Sequence, residues 1–205
     1  MGDLELYSSF VPRWLREQVA RDQWQGEEPL LTPVVAAVLF ADISGFTRLT
    51  ETLSRNAGIE TLTTVLNTYL GLLIAEIEAA GGDVIKFAGD ALLALWPGGT
   101  EALQSAMACG LSIQAHCHDY AATPEHTLSV RIGISAGEVS LLRVGGQYER
   151  WELLLAGAPL MTMAQAEGLA QRGEVIVAPL AELDDLACTW ERRGGATDAY
   201  SVALR

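Results

Sequence analysis

Two acidic residues sit where a carboxylate can do chemistry. Asp42 follows the apolar run Val34 to Ala41 and precedes Ile43-Ser44-Gly45-Phe46-Thr47, a small-residue turn that opens a helix. Asp90 closes the segment Lys86-Phe87-Ala88-Gly89-Asp90, a hairpin tip. The first turn of a helix has backbone N–H groups without an internal acceptor, and these bind phosphate oxygens. If the strands carrying Asp42 and Asp90 are neighbours, the two carboxylates converge. Two carboxylates with few other hard ligands suit Mg²⁺, which keeps water and substrate phosphates in its remaining positions. A pair of such ions can steady the attacking and leaving oxygens of a phosphoryl displacement. Taken singly, each residue also has a plain structural use, Asp42 as a helix cap and Gly89-Asp90 as a turn.

The elements that must place these residues follow from apolar periodicity and turn chemistry. Residues 1–33 read as a short helix over Pro12 to Gln23 and a polar linker, Gln25-Gly26-Glu27-Glu28-Pro29. Trp14, Leu15 and Val19 give that helix an apolar stripe, which either packs on its own domain or meets a partner. Residues 34–205 read as one further unit. It opens with the strand Val34 to Ala41 and helices Phe46 to Leu53 and Ile59 to Ala80, the second ended by Gly81-Gly82. Strands Asp83 to Phe87 and Ala91 to Trp96 form a hairpin around Ala88-Gly89-Asp90, and a helix runs from Glu101 to about His118. Leu128 to Ala136 and Val139 to Val144 read as a second strand pair around Gly137-Glu138. A strand over Trp151 to Leu155, a helix over Pro159 to Ala170 and short strands near Val175, Leu186 and Tyr200 complete the chain. Because hairpins interrupt the alternation of strand and helix, the pattern predicts an α+β sandwich with a largely antiparallel sheet.

Composition narrows the function. The chain has 205 residues, half of them hydrophobic, enough for one buried core and too many for a disordered or fibrous protein. With 26 Asp and Glu against 13 Lys and Arg, a formal charge of −13 argues against a nonspecific nucleic-acid surface. An acidic protein can still take a polyphosphate when metal ions lie between carboxylates and ligand. Cys109, Cys117 and Cys188 form no CxxC pair, which favours a reducing, cytoplasmic setting. The amino terminus lacks the basic and apolar regions of a secretory signal, and no apolar run approaches the roughly 18 residues that would insert in a membrane. His116, Cys117 and His118, with Cys109, lie on one predicted helix where neighbours one and two apart point to different faces, which argues against a zinc site.

The chain has no GxxxxGK[ST] or GxGxxG nucleotide cradle, and no HExxH. Instead, Phe40-Ala41-Asp42-Ile43-Ser44-Gly45-Phe46-Thr47, followed by the run from Val84 to Pro97 (VIKFAGDALLALWP), resembles the catalytic domain of class III nucleotidyl cyclases. It is most similar to the first catalytic domain of soluble, bicarbonate-responsive adenylyl cyclases. The resemblance implies a ferredoxin-like sandwich that works as a dimer and converts ATP to cyclic AMP and pyrophosphate. It also implies that Asp42, the Ile43 carbonyl and Asp90 hold two Mg²⁺ or Mn²⁺ ions. Ser44, Gly45, Phe46 and Thr47 would form the phosphate-binding turn, and Arg131, in Val130-Arg131-Ile132-Gly133, would bind the triphosphate.

The other half-site of the family departs in this chain. Where active partner domains carry an Asn and, four residues later, an Arg, this sequence has Met161 and Gln165, and Leu154 stands at the adenine-contacting acid. A thioether and a neutral amide cannot replace a guanidinium on a pentacovalent phosphate. The resemblance therefore implies a poor homodimer and a second cyclase domain that completes the site, from the same longer chain or another subunit. The sequence ends near the family's domain end, so that domain is expected beyond Arg205 or on another chain. Lys86, the sole lysine, matches the family's purine or regulator lysine, whereas Ala164 stands where the bicarbonate-responsive relatives have an arginine. The competing readings are a catalytically silent pseudo-cyclase that regulates or dimerises and, last, a guanylyl cyclase, which would need an acid where Lys86 stands.

Overall fold

The computed structural model describes residues 11–21, 28–56, 59–180, 190–193 and 200–203. Its centre is β1 (Leu30–Ser44), which pairs antiparallel with β3 (Ala91–Pro97) on one side and with β5 (His126–Gly145) on the other. β2 (Asp83–Ala88) adds outside β3, and the sheet runs in the order β2-β3-β1-β5-β7-β9-β8, where β7 is Val175–Val177, β8 Trp190–Arg193 and β9 Tyr200–Ala203. Only the β5–β7 pairing is parallel among these, so the sheet is largely antiparallel, as the hairpin pattern predicts.

Alternation along β1 decides what covers each face. Ala37, Leu39, Ala41 and Ile43 enter the larger core with Leu92, Ala94 and Trp96 of β3 and Val130, Ile132 and Ile134 of β5. Two long helices close that face, α3 (Ile59–Ala79) through Tyr69, Leu73 and Ile77, and α4 (Thr100–Cys117) through Leu103, Met107 and Ile113. On the opposite face Ala36, Val38 and Leu95 meet Val139 and Met163, the last on α5 (Ala158–Leu169). Asp42 and Arg131 belong by parity to this second face, away from the main core.

Two expectations change. Gly137-Glu138 is no hairpin: β5 continues through it, holding an unshifted register with β1 from Ser44↔Ser129 to Leu30↔Arg143. What changes near Gly137 is the neighbour on the far side, from β7 at residues 132–134 to β6 (Trp151–Ala156) at residues 140–145. A continuous partner for β1 satisfies its whole ladder of backbone groups, which a turn there would leave open. The sequence reading also lacks β4 (Tyr120–Thr123), a short strand that turns back onto the start of β5. The strands near Val175 and Tyr200 are present, while Leu186 lies outside the described residues. No helix among the described residues is long and apolar enough to cross a membrane.

The first described helix, α1 (Arg13–Ala20), packs on its own chain, Trp14 lying against Leu141 with Leu30, Leu153 and Leu155 around them. Its cap comes from far away in sequence. The buried Asp83 carboxylate accepts the backbone N–H of Arg13 at 3.0 Å and of Trp14 at 2.6 Å, while Arg13 Nη2 donates to the Gly81 carbonyl at 2.9 Å. Asp83→Ala leaves two helix N–H groups without an acceptor and is expected to cost about 1–3 kcal/mol. The check is hydrogen exchange, with protection lost first at residues 13–20; unchanged protection there would remove Asp83 as the anchor of α1.

Candidate active site

Strand register brings the chemistry together. Asp42, near the end of β1, lies opposite Ala91 on β3 and opposite Arg131 on β5. Asp90 immediately precedes Ala91 in the β2–β3 turn, so Asp90, Asp42 and Arg131 converge at one end of three adjacent strands. Ile43 sends its side chain into the core, and Ser44 ends the strand. The residues expected to form the phosphate turn follow at once: Gly45 precedes α2 (Phe46–Asn56), and its carbonyl accepts the Leu49 N–H at 3.1 Å. Gly45 has φ +98°, and a Cβ there would lie 2.8 Å from the Thr127 carbonyl oxygen, so only glycine fits this turn against the start of β5.

Arg131 is the electrostatic centre. Its Nη2 donates to Asp42 Oδ2, and the same nitrogen lies 3.1 Å from Glu167 Oε1 on α5. The hydrogen bond with Asp42 raises the guanidinium above its already high value, so it stays charged. Burial raises the Glu167 carboxyl above the ordinary carboxylate value; Arg131 opposes that rise and the Asp42 charge adds to it.

Glu167 is the site residue that sequence reasoning missed. An isolated Glu on a predicted helix reads as solvated, and the only clue is the glycine in Val130-Arg131-Ile132-Gly133. That glycine lets α5 lie directly on β5: a Cβ on Gly133 would sit 2.3 Å from the Met163 carbonyl oxygen and 2.5 Å from the Glu167 nitrogen. Both obstacles are backbone, so Gly133→Ala must push α5 off the sheet. The expected cost is about 3 kcal/mol, at the top of the usual overpacking range. Denaturant unfolding checks it, and a loss under about 1 kcal/mol would mean that α5 shifts freely on β5.

The remaining predicted positions lie apart from this cluster. Lys86, exposed on β2 opposite Leu93, has no ion-pair partner among the described residues. It lines a cavity of about 270 Å³ between α1, α3 and β2, together with Arg13, Arg16 and Phe87. Met161 is 68% exposed and Leu154 36%, and Ala164 and Gln165 are also exposed, so all four face outward. His116 pairs with Glu76 at 2.8 Å, His118 with Asp119 at 3.3 Å, and the thiols of Cys109 and Cys117 are buried in the core. Burial pushes those two thiols up to about 12 and about 11. Among the described residues no three His, Cys, Asp or Glu side chains gather as a metal cage.

The family described as the adenylate and guanylate cyclase catalytic domain matches residues 33–183. Adenylate cyclase type 10 from Homo sapiens is 31% identical over 187 residues, covering 87% of this chain. The rabbit protein of the same name, from Oryctolagus cuniculus, matches to the same extent, and the chain spans only 11% of the length of each. Among solved structures, the adenylyl cyclase CyaB from P. aeruginosa superposes with a TM-score of 0.72 at 21% identity, covering 86% of this chain and 97% of that one. A bacterial light-regulated adenylyl cyclase gives a TM-score of 0.70 at 22% identity, over 97% of this chain and 60% of that one. At such identities the two structures speak for the fold.

Proposed function

The chain belongs to the adenylate and guanylate cyclase catalytic-domain family, and on that premise we propose that it is the metal-bearing half of an adenylyl cyclase. It forms 3′,5′-cyclic AMP and pyrophosphate from ATP, and a second catalytic domain completes its site. The observation that carries the reading is the three-strand register that gathers Asp90, Asp42 and Arg131, with the guanidinium on the Asp42 carboxylate.

The donor set fits two Mg²⁺ or Mn²⁺ ions. Asp42 and Asp90 offer hard carboxylate oxygens, the Ile43 carbonyl adds a second kind of oxygen donor, and Asp42 already accepts a cationic partner in Arg131. So few protein ligands suit an ion that takes the rest from water and phosphate. Bound there, the ions would make the ribose 3′-hydroxyl more acidic and offset phosphate charge.

The chain's own residues then position and neutralise. Backbone N–H groups from Gly45 to Thr47 orient the β and γ phosphates at the start of α2. The 3′-oxygen forms its bond to the α-phosphorus as the bond to the β-phosphate oxygen breaks, and the hydroxyl proton passes to solvent. Arg131 spreads the charge that collects on the departing pyrophosphate. Stabilising the pentacovalent phosphate from the opposite side needs a guanidinium, which Met161 and Gln165 cannot supply, so the partner domain provides it. Lys86 and the adenylate cyclases among the relatives support ATP over GTP.

Cyclic AMP formation from ATP with Mn²⁺ or Mg²⁺ tests the reading, with GTP as competing substrate. Activity is expected when the chain is mixed with a cyclase domain that carries the Asn and Arg, and little without it. Silence in both arms would favour the pseudo-cyclase that Met161, Gln165 and Leu154 suggest, and preferential cyclic GMP would reassign the substrate.

A further inference from the structure

We propose that Glu167 is a positioning residue for the metal site: it shares the Arg131 guanidinium with Asp42 and draws it off that carboxylate when a divalent cation arrives. The inference rests on the metal-site reading above and adds to it a residue that the motifs do not mark.

One guanidinium nitrogen serves both carboxylates. Arg131 Nη2 donates to Asp42 Oδ2 and lies 3.1 Å from Glu167 Oε1. The Glu167 contact is close but not aligned: Glu167 Oε1 accepts no hydrogen bond, and Arg131 Nε donates none, among the described residues. The guanidinium is thus committed to Asp42 with unused capacity toward Glu167. Glu167 is the most buried of the three, its side chain 14% exposed against 23% for Asp42 and 35% for Arg131. A buried carboxylate is costly unless its charge is well hydrogen-bonded, so Glu167, 3.1 Å from the guanidinium but without an aligned hydrogen bond on Oε1, has the most to gain from a better-directed one. It cannot retreat, because α5 lies against the backbone of β5 at Gly133, where no side chain separates them.

A divalent ion on Asp42 repels the guanidinium already there, since the two cations would share one carboxylate. Arg131 must then release Asp42. With Glu167 in place, the release exchanges one charged hydrogen bond for another; without it, Arg131 loses its nearest alternative acceptor and competes harder for Asp42. Groups that hold a ligand's neighbour in this way typically tune metal affinity by about tenfold or more.

Mn²⁺ titration of the full chain, followed by electron paramagnetic resonance without nucleotide, tests this apart from turnover. Glu167→Gln is expected to weaken Mn²⁺ binding about tenfold. In an Arg131→Met background the same substitution should change nothing, because the competitor is gone. Asp42→Ala, which removes the ligand itself, should abolish binding. If Glu167→Gln leaves affinity unchanged while Asp42→Ala abolishes it, Glu167 does not position Arg131 and the metal site stands. Equal weakening in both backgrounds would show that Glu167 acts by its charge alone and would also overturn the proposal. Absence of Mn²⁺ binding in the unaltered chain would overturn it together with the reading it rests on. Circular dichroism checks each variant's fold. If Glu167→Gln does not fold, Glu167→Asp, charged but shorter, is read the same way with a smaller weakening expected.

Discussion

Asp42→Ala is expected to abolish cyclic AMP formation by the chain mixed with a cyclase domain that carries the Asn and Arg, a fall of at least about a thousandfold, while the protein stays folded. The size follows from what is removed. In phosphoryl transfer the protein supplies little besides positioning and charge, and losing one such element typically costs on the order of a thousandfold or more. The fold survives because Asp42 sits two residues from the end of β1 on the face away from the main core, with its side chain 23% exposed. Its ion pair with Arg131 is partly solvated, so its loss should cost about 1 kcal/mol or less. Arg131 retains Glu167. Asp42→Asn sharpens the measurement by keeping the side-chain shape without the charge, and it should be as inactive as Asp42→Ala. Activity within tenfold of the unaltered chain in a folded Asp42→Ala variant would remove Asp42 as a metal ligand and the site reading with it.

The half of the site that was legible in the sequence is the half written in consecutive residues. Asp42 and Gly45 sit in one strand-turn-helix run, and Gly89-Asp90 in one hairpin, so local rules of turn and cap locate them. Their convergence needed only that β1 and β3 be neighbours, which the register from Ala36↔Pro97 to Asp42↔Ala91 provides. Glu167 was illegible because its role depends on a contact 36 residues distant from Arg131, created by the absence of a side chain at Gly133. Asp83 was hidden for the same reason. It reads as the first residue of a strand, yet it caps a helix that begins 70 residues earlier. The hairpin expected at Gly137 failed differently: a Gly-Glu pair between apolar runs is a fair turn signal, but β1 was longer than its apolar stretch suggested. Starting at Leu30, directly after the segment that reads as linker, it holds β5 straight through the glycine.

The largest gain of function is expected from Met161→Asn combined with Gln165→Arg, which should raise the cyclic AMP output of the chain alone by about a thousandfold, the contribution a transition-state guanidinium typically makes. The substitutions sit four apart on α5 and therefore on one helix face. Met161 is 68% exposed and Gln165 is also exposed, so neither change disturbs the core and each should alter stability by about 0.5 kcal/mol or less. Each copy already carries Asp42, Asp90 and Arg131, so restoring the other half lets two copies complete each other's sites. Activity should then rise with the square of protein concentration where dimers are scarce, and Asp42→Ala in the same chain should erase it. Leu154→Asp, on β6, should add purine selectivity more than rate, because it restores a base contact and not a charge at phosphorus. A folded double variant that dimerises and gains nothing would mean that the missing half-site is not what silences the lone chain. The deficiency would then lie in the metal half, and titration of Mn²⁺ against the unaltered chain would locate it.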